Sequence, residues 1–416
     1  MARIQCLSRD NPLLFLAGTG LILLPVSNAV GQVPIYLASV LWLVRALRRK
    51  TFVHLPTWIG FAGWALLILI GFLFAVHPEM GLGKLNRFLV FPFTGAVAAA
   101  CLQKEKPMEG VRFLCLCLIA GVALLGIHDF ITFPLETRDR VVVEQVGLNA
   151  EGEPEYRETL VQGKDFVDVG NMTSPQFYLV GIMLWLGLLG SRTTTARKWF
   201  WLCLPVLVTG LLIHQKRGVW LACAVAVGCW ACWMRKWKIL IGFAVLGAVS
   251  LCFPFVQERL KQVLEVVQPT HGGRMILWNE VAPRMFEQYP WGMGFNGSTY
   301  EDFREALPGQ YHMEVGLRHL HNNFLQIRLE LGWQGVIFWT GWMGWILFRA
   351  FRSTRGEETG VAVAVAIALL ALHLNGVVEY NFGDSEVLKV FLLLFGCVDV
   401  ADVCRQRTGP QPGPPR

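Results

Sequence analysis

The chain has 416 residues, 54% of them hydrophobic and only 16% charged, with a formal charge of +7. A soluble protein of this length needs more charged surface. The basic residues lie in short clusters between apolar runs, which argues against nucleic acid as a partner and fits the topogenic loops of a membrane protein.

Taken in chain order, apolar runs fall at Leu13–Val30, Pro34–Leu47, Thr57–Val76, Phe88–Leu102, Phe113–Pro134 and Pro175–Gly190, then at Trp199–Ile213, Val219–Trp233, Ile239–Phe255, Phe324–Leu347, Val361–Leu374 and Val387–Val403. Several are shorter than the roughly 20 residues of a straight span. The first has no convincing cleavage site and reads as a span, not a signal peptide. The expected fold is an all-α integral membrane protein of about 12 transmembrane helices, one polytopic domain over residues 1–416.

Orientation follows from the basic residues. Arg3 and Arg9 precede the first run, and every second connection is basic: Arg45 to Lys50, Lys104 to Arg112, Arg192 to Lys198, Arg235 to Lys238, Arg349 to Arg355, and the tail from Arg405. These segments and both termini are expected in the cytoplasm. Two long loops then face the other side. Residues 135–174 form an acidic loop that includes Glu151-Gly-Glu153-Pro-Glu155, read as a solvated turn. Residues 256–321 form a larger loop that opens on an amphipathic stretch, with Leu260, Val263, Leu264 and Val267 on one helical face, as in a surface helix. The tail, residues 404–416, ends Pro- and Gly-rich and is expected to be disordered.

Eleven cysteines lie in apolar runs or at cytoplasmic ends and none in the two long loops, which excludes a disulfide framework. Cys229 and Cys232 form a CxxC within an apolar helix, where packing is the expected role.

Cations on the outer side oppose the positive-inside bias and need a reason. Lys84 and Arg87 join the third and fourth runs, Lys216 and Arg217 the seventh and eighth, and Arg274 follows Gly272-Gly273 in the large loop. Each singly can sit among lipid headgroups; together they suggest an anion site, because guanidinium groups bind phosphate oxygens in a fork. The outer histidines are His214, His271, His312, His319 and His321. His319 and His321 could pair on zinc, but no third ligand has recognisable spacing, so neither metal nor cofactor is expected. An imidazole can instead take a proton from a hydroxyl, and His321 is the candidate base, with His319 and Asn322 beside it. Asp384 and Glu379 also reach the outer side. An acid there could orient a histidine; for Glu379, loop solvation is the favoured reading.

These motifs resemble a known family. His321-Asn322, nine residues, then Gly332-Trp-Gln-Gly335 resembles the signature of O-antigen ligases of the WaaL type, within the O-antigen ligase/polymerase superfamily. Lys216-Arg217-Gly218 is similar to the family's Ser-Arg-Gly, with Lys216 in place of Ser as a departure. Gly273-Arg274 through Trp278, followed by Pro290-Trp-Gly-Met-Gly294, resembles its large-loop pattern. The resemblance implies a GT-C-type glycosyltransferase with a large periplasmic loop before the tenth helix, in a Gram-negative inner membrane. It would move a glycan from undecaprenyl diphosphate to the lipid A–core oligosaccharide. By position, Arg217 and Arg274 would hold the diphosphate and His321 would activate the acceptor hydroxyl, with Lys84, Arg87, Lys216, His319, Asn322 and Asp384 in support. With a good leaving group already on the donor, metal-independent inverting transfer is expected. A Wzy-type polymerase and a protein O-oligosaccharyltransferase are the related alternatives. A transporter or flippase is disfavoured, since no halves repeat and the polar residues cluster at one interface.

Overall fold

The computed structural model describes residues 11–49, 56–132, 138–148, 154–163, 173–189, 196–214, 216–252, 257, 273–307, 319–354 and 359–408. The amphipathic stretch after Gln257, His271, His312 and the end of the tail lie outside the described residues.

Every apolar run carries a helix. These are α1 (Pro12–Leu23), α2 (Asn28–Arg49), α3 (Thr57–Gly71), α4 (Pro92–Leu102), α5 (Pro107–Thr132), α6 (Ser174–Leu189), α7 (Ala196–Ile213), α8 (Arg217–Trp233), α9 (Trp237–Ser250), α10 (Asn323–Arg352), α11 (Thr359–Asn375) and α12 (Ser385–Thr408). Four segments are long and apolar enough to cross a membrane: Asn28–Arg49, Thr57–Phe74, Pro78–Leu102 and Pro107–Ile131. Shorter apolar helices stand beside them. The first run is not one helix, because α1 ends at Leu23 and Val30 belongs to α2; Pro25, which has no N–H to give, lies in the turn between them. Asn11 caps α1, accepting from the Leu14 amide at 3.1 Å while its own amide donates to the Ala100 carbonyl at 2.7 Å.

The all-α reading is amended by one hairpin in the first long loop. Strands β1 (Arg138–Leu148) and β2 (Pro154–Gly163) pair antiparallel, with a register shift between Gln145 and Gly147. Val141 and Val142 lie opposite Leu160 and Thr159, and the run Val141-Val142-Val143 is the β-branched pattern that favours strands. Glu155, expected in a turn, belongs to β2.

Helix α6 is buried along nearly its whole length, as its apolar sequence on every side requires. It packs on α11, whose alternating Val and Ala from Val361 to Ile367 are all buried and let the two helices approach closely. Helix α12 lies against α4 and is equally buried. At the end that carries the basic loops, Arg349 of α10 pairs with Asp399 at 2.8 Å and Asp402 at 3.0 Å on α12. Thr57 of α3 donates to Asp399 at 2.8 Å, so three helices are tied there. Cys229 and Cys232 are exposed on α8, not packed inside as expected, and no described cysteine is in a disulfide.

Between α9 and α10, residues 273–307 fold into short helical turns over a separate apolar cluster that includes Leu277, Val281, Met285, Phe286, Met293 and Phe303. Leu320 and Leu329 join it, which docks this loop on the start of α10.

Candidate active site

The site is built where the chain enters α10. Asn322 is the N-cap: its side-chain oxygen accepts from the Phe324 and Leu325 amides at 2.8 and 3.1 Å, and its amide donates to the Val377 carbonyl at 2.6 Å. The next residue repeats the tie. The Asn323 backbone donates to the Gly376 carbonyl at 2.8 Å, and its side chain donates to Asn381 at 2.7 Å and accepts from the Phe382 amide at 3.1 Å. Two consecutive asparagines therefore fasten the helix start to the α11–α12 connection. His321, just before them, has φ of 48°, a left-handed conformation costing about 1–3 kcal/mol that only such fastening maintains. Trp278 of the large loop secures the other side, donating to the Leu320 carbonyl at 2.6 Å.

This geometry delivers His321 to Glu379. Nδ1 of His321 lies 2.7 Å from Oε1 of Glu379, while Nη2 of Arg274 donates to Oε2 at 2.8 Å and Nη1 to the Val378 carbonyl at 2.6 Å. With Nδ1–H given to the carboxylate, Nε2 is the nitrogen left to accept a proton. Burial opposes charge on Glu379, but the hydrogen bond and charge of His321, and then Arg274, hold its carboxyl down at about 2. Burial pushes His319 down to about 4, with His321 lowering it further, so it is neutral at pH 7. Its Nδ1 accepts from the His321 amide at 3.4 Å, and the two rings meet edge to face with centroids 4.2 Å apart.

The reading of the acids is therefore corrected. Glu379, expected to be a solvated loop residue, is the carboxylate that holds His321. Asp384 instead starts α12, accepting from the Glu386 amide at 3.1 Å, and its carboxyl is raised by burial and then by Glu386. The missing third metal ligand also turns out to exist. His319, His321 and Glu379 each offer a ligand atom within 4.8 Å of the others, a donor set of the kind that takes a divalent ion.

The glycines of the Gly-x-x-Gly signature have a mechanical role. Gly332 breaks α10 with φ of 67° and ψ of −168°, a conformation that an L side chain rarely adopts. The break frees the carbonyls of Leu329 and Glu330, which accept from the amides of Met293 and Gly294 at 2.8 and 2.9 Å. The Pro290–Gly294 loop thus caps the first half of α10. Glu330, buried at the break, accepts from Gln326 at 2.9 Å and from the Tyr380 hydroxyl at 3.1 Å. Gln326 in turn accepts from the Leu320 amide at 2.9 Å, closing a loop of contacts beneath His321.

Lys216 and Arg217 open α8, as their motif suggested, and both are half-buried. A Cβ on Gly218 would meet the Val378 side chain at 2.5 Å, so this helix start packs directly on the segment that carries Glu379. Lys84 and Arg87 do not join that cluster; they line a separate pocket with Lys389. The structure thus groups Arg274, His319, His321 and Asn322 around Glu379, sets Arg217 beside that segment, and places Lys84 and Arg87 elsewhere. A further unit sits at the end of α5, where Asp129 accepts from Tyr178 at 2.7 Å and lies 2.8 Å from Nε2 of His214.

Fold and site together define a helical membrane protein with an acid–base and cation cluster at one end. Residues 199–340 match the family model described as O-antigen ligase, which supports the chain's membership of the O-antigen ligase/polymerase superfamily. The matched segment holds Arg217, Arg274, His321 and Gly332, and ends before Glu379. No curated protein matches the sequence significantly.

Proposed function

We propose that this protein is an O-antigen ligase that transfers a glycan from undecaprenyl diphosphate to the lipid A–core oligosaccharide. In this reading the twelve helices span a Gram-negative inner membrane in a GT-C-type arrangement, both termini are cytoplasmic, and the His321 end is periplasmic. The observation that carries the proposal is one chain of contacts, from base to acid to cation, through His321, Glu379 and Arg274.

The chemistry follows from those contacts. Nε2 of His321 takes the acceptor hydroxyl proton as that oxygen attacks the anomeric carbon from the face opposite the diphosphate. The bond between that carbon and the diphosphate oxygen breaks, and configuration inverts. Glu379 keeps the imidazole oriented and stabilises the imidazolium that forms. Negative charge gathers on the departing diphosphate, and Arg274 and Arg217 receive it. No metal is needed for these steps, although the donor set at His319, His321 and Glu379 makes that a point to test.

The test is transfer by the purified protein, with and without EDTA, for wild type and His321→Ala. Chelator-resistant transfer that disappears in His321→Ala is the expected result. Transfer lost in EDTA and restored by a divalent ion would replace the base with a metal centre. A deletion strain separates ligase from polymerase: full-length core without long glycan, with accumulating lipid-linked polymer, belongs to a ligase, whereas short-chain capped core belongs to a polymerase.

A further inference from the structure

We propose that a second cation pocket, lined by Lys84, Arg87 and Lys389, holds a phosphate group of a membrane-anchored lipid substrate, apart from the cations around His321. The pocket has a volume of about 230 Å³. Its cations come from separate parts of the chain: Lys84 precedes and Arg87 lies within the turn Leu85–Val90 before α4, and Lys389 lies in the second turn of α12. Asn86 and Gln32 add side-chain amides that can donate to phosphate oxygens, while the Ser385 hydroxyl is given to Glu386 at 3.0 Å.

The charge arrangement is what calls for an anion. Lys389 is only 2% exposed, at a depth where an ammonium costs a few kcal/mol unless it is compensated. Its Nζ donates to Asn28 at 2.9 Å and to the Ser385 carbonyl at 3.1 Å, leaving one of three hydrogens. Glu386 and Asp384 act on it from the start of α12, yet among the described residues no carboxylate oxygen comes within 4.0 Å of Lys84, Arg87 or Lys389. Three like charges facing one cavity without an ion pair repel one another, and a phosphate would relieve that repulsion through charge-assisted hydrogen bonds.

Position argues for a lipid-borne phosphate in place of a free one. Val33, Leu82 and Leu89, neighbours in sequence of the lining residues, are more than half exposed, which suits an apolar chain lying alongside. The two cation groups are also distinct in what they act on. Arg274 is bonded to Glu379 and to the Val378 carbonyl, whereas Arg87 lines the pocket with Lys389. Tyr380, in the connection that leads into α12, has its ring 5.9 Å from His319 and its hydroxyl on Glu330. Glu379 stands in the connection that leads into α12 and Lys389 in the second turn of that helix, so a phosphate in the pocket lies toward the His321 end of α12 and leaves Arg274 on Glu379.

The identity of the lipid rests on the transfer reading above; the existence of the site does not. The experiment measures binding of a polyprenyl diphosphate and of a phosphorylated glycolipid acceptor to the purified full chain, with inorganic diphosphate as competitor, and then their KM values. Lys84→Gln and Arg87→Gln should each weaken binding of one of these lipids on the order of tenfold and raise its KM, with kcat little changed. Arg87→Lys should recover part of the loss. The lipid affected tells donor from acceptor. Unchanged affinity for both lipids in both glutamine variants overturns the proposal; Lys84 is exposed, so misfolding cannot mimic a loss there. Lipid binding that depends on Lys84 and Arg87 in a protein without transfer activity would keep the pocket and remove the enzyme.

Discussion

Two polar clusters sit at opposite ends of α10, and they are built differently. At its far end, Arg349 is 6% exposed and ion-paired to Asp399 and Asp402, themselves 0% and 9% exposed. At its start, Arg274 is 40% exposed and Glu379 20%, although His321 between them is 6% exposed. The first cluster spends its charge on holding α3, α10 and α12 together. The second keeps one imidazole nitrogen and part of a guanidinium available to a ligand, and holds its histidine in a backbone conformation that folding alone would avoid. Buried charge by itself thus does not distinguish structure from chemistry; unspent donor and acceptor capacity does.

The sharpest way to break this comparison is His321→Ala. Removing a positioned base costs about 10²–10⁴ in rate. Transfer by the purified variant should fall by that much while thermal unfolding in detergent stays close to wild type and donor still binds. A variant that unfolds early with its per-molecule rate intact would make the two clusters alike.

Arg349→Ala should do the reverse. Removing Arg349 leaves the buried Asp399 without its cation and Asp402 with Arg405 at 3.4 Å, and breaking a buried pair in this way typically costs about 3–5 kcal/mol. Thermal unfolding should come markedly earlier, while the rate per folded molecule holds. A large drop in kcat without loss of stability would assign chemistry to the structural end.

Glu379→Gln tests both sides at once, with a smaller effect on stability. The Glu379 carboxyl sits at about 2 in the folded protein against its ordinary 4.5. A lowered folded value means stability that is fully present above 4.5 and is lost as pH falls toward 2. The stability gap between wild type and Glu379→Gln should therefore be widest at neutral pH and narrow between 4.5 and 2. A gap that does not vary with pH would show that the carboxylate's charge is not what His321 and Arg274 recognise.

Much of the frame was legible in the sequence, because helices in an apolar environment satisfy their backbone internally and announce themselves as apolar runs. The helix starts at Arg217 and Asn323 were also legible, each from a local motif. What was hidden is pairing across the chain. Glu379 lies 58 residues beyond His321, with all of α10 and α11 between them, and nothing local distinguishes it from a solvated acid. A usable signal was the polar density from Asn375 to Asp384 between two apolar runs, where Asn375, Glu379, Tyr380 and Asn381 all proved to be engaged. Lys389 was hidden for another reason, as a single cation within a run otherwise apolar enough to be read as a span.

The smallest expected effect, His319→Ala, is the one that identifies the base. His319 is neutral at pH 7 and touches His321 twice, through the amide hydrogen bond to its Nδ1 and through the edge-to-face ring contact. Its loss removes one weak hydrogen bond and some packing, together about 1 kcal/mol, which loosens the strained His321 backbone without taking away a proton acceptor. Transfer should drop only a few-fold, because Glu379 and the two asparagines still place the imidazole. The carboxylate touches His321, so the asymmetry between the two histidines should be large even though they stand two residues apart and their rings touch. Measured side by side with His321→Ala under saturating donor, a few-fold loss against a loss of about 10²–10⁴ is the expected pattern. The opposite pattern, with His319 essential and His321 dispensable, would move the base by two residues and leave Glu379 holding a spectator.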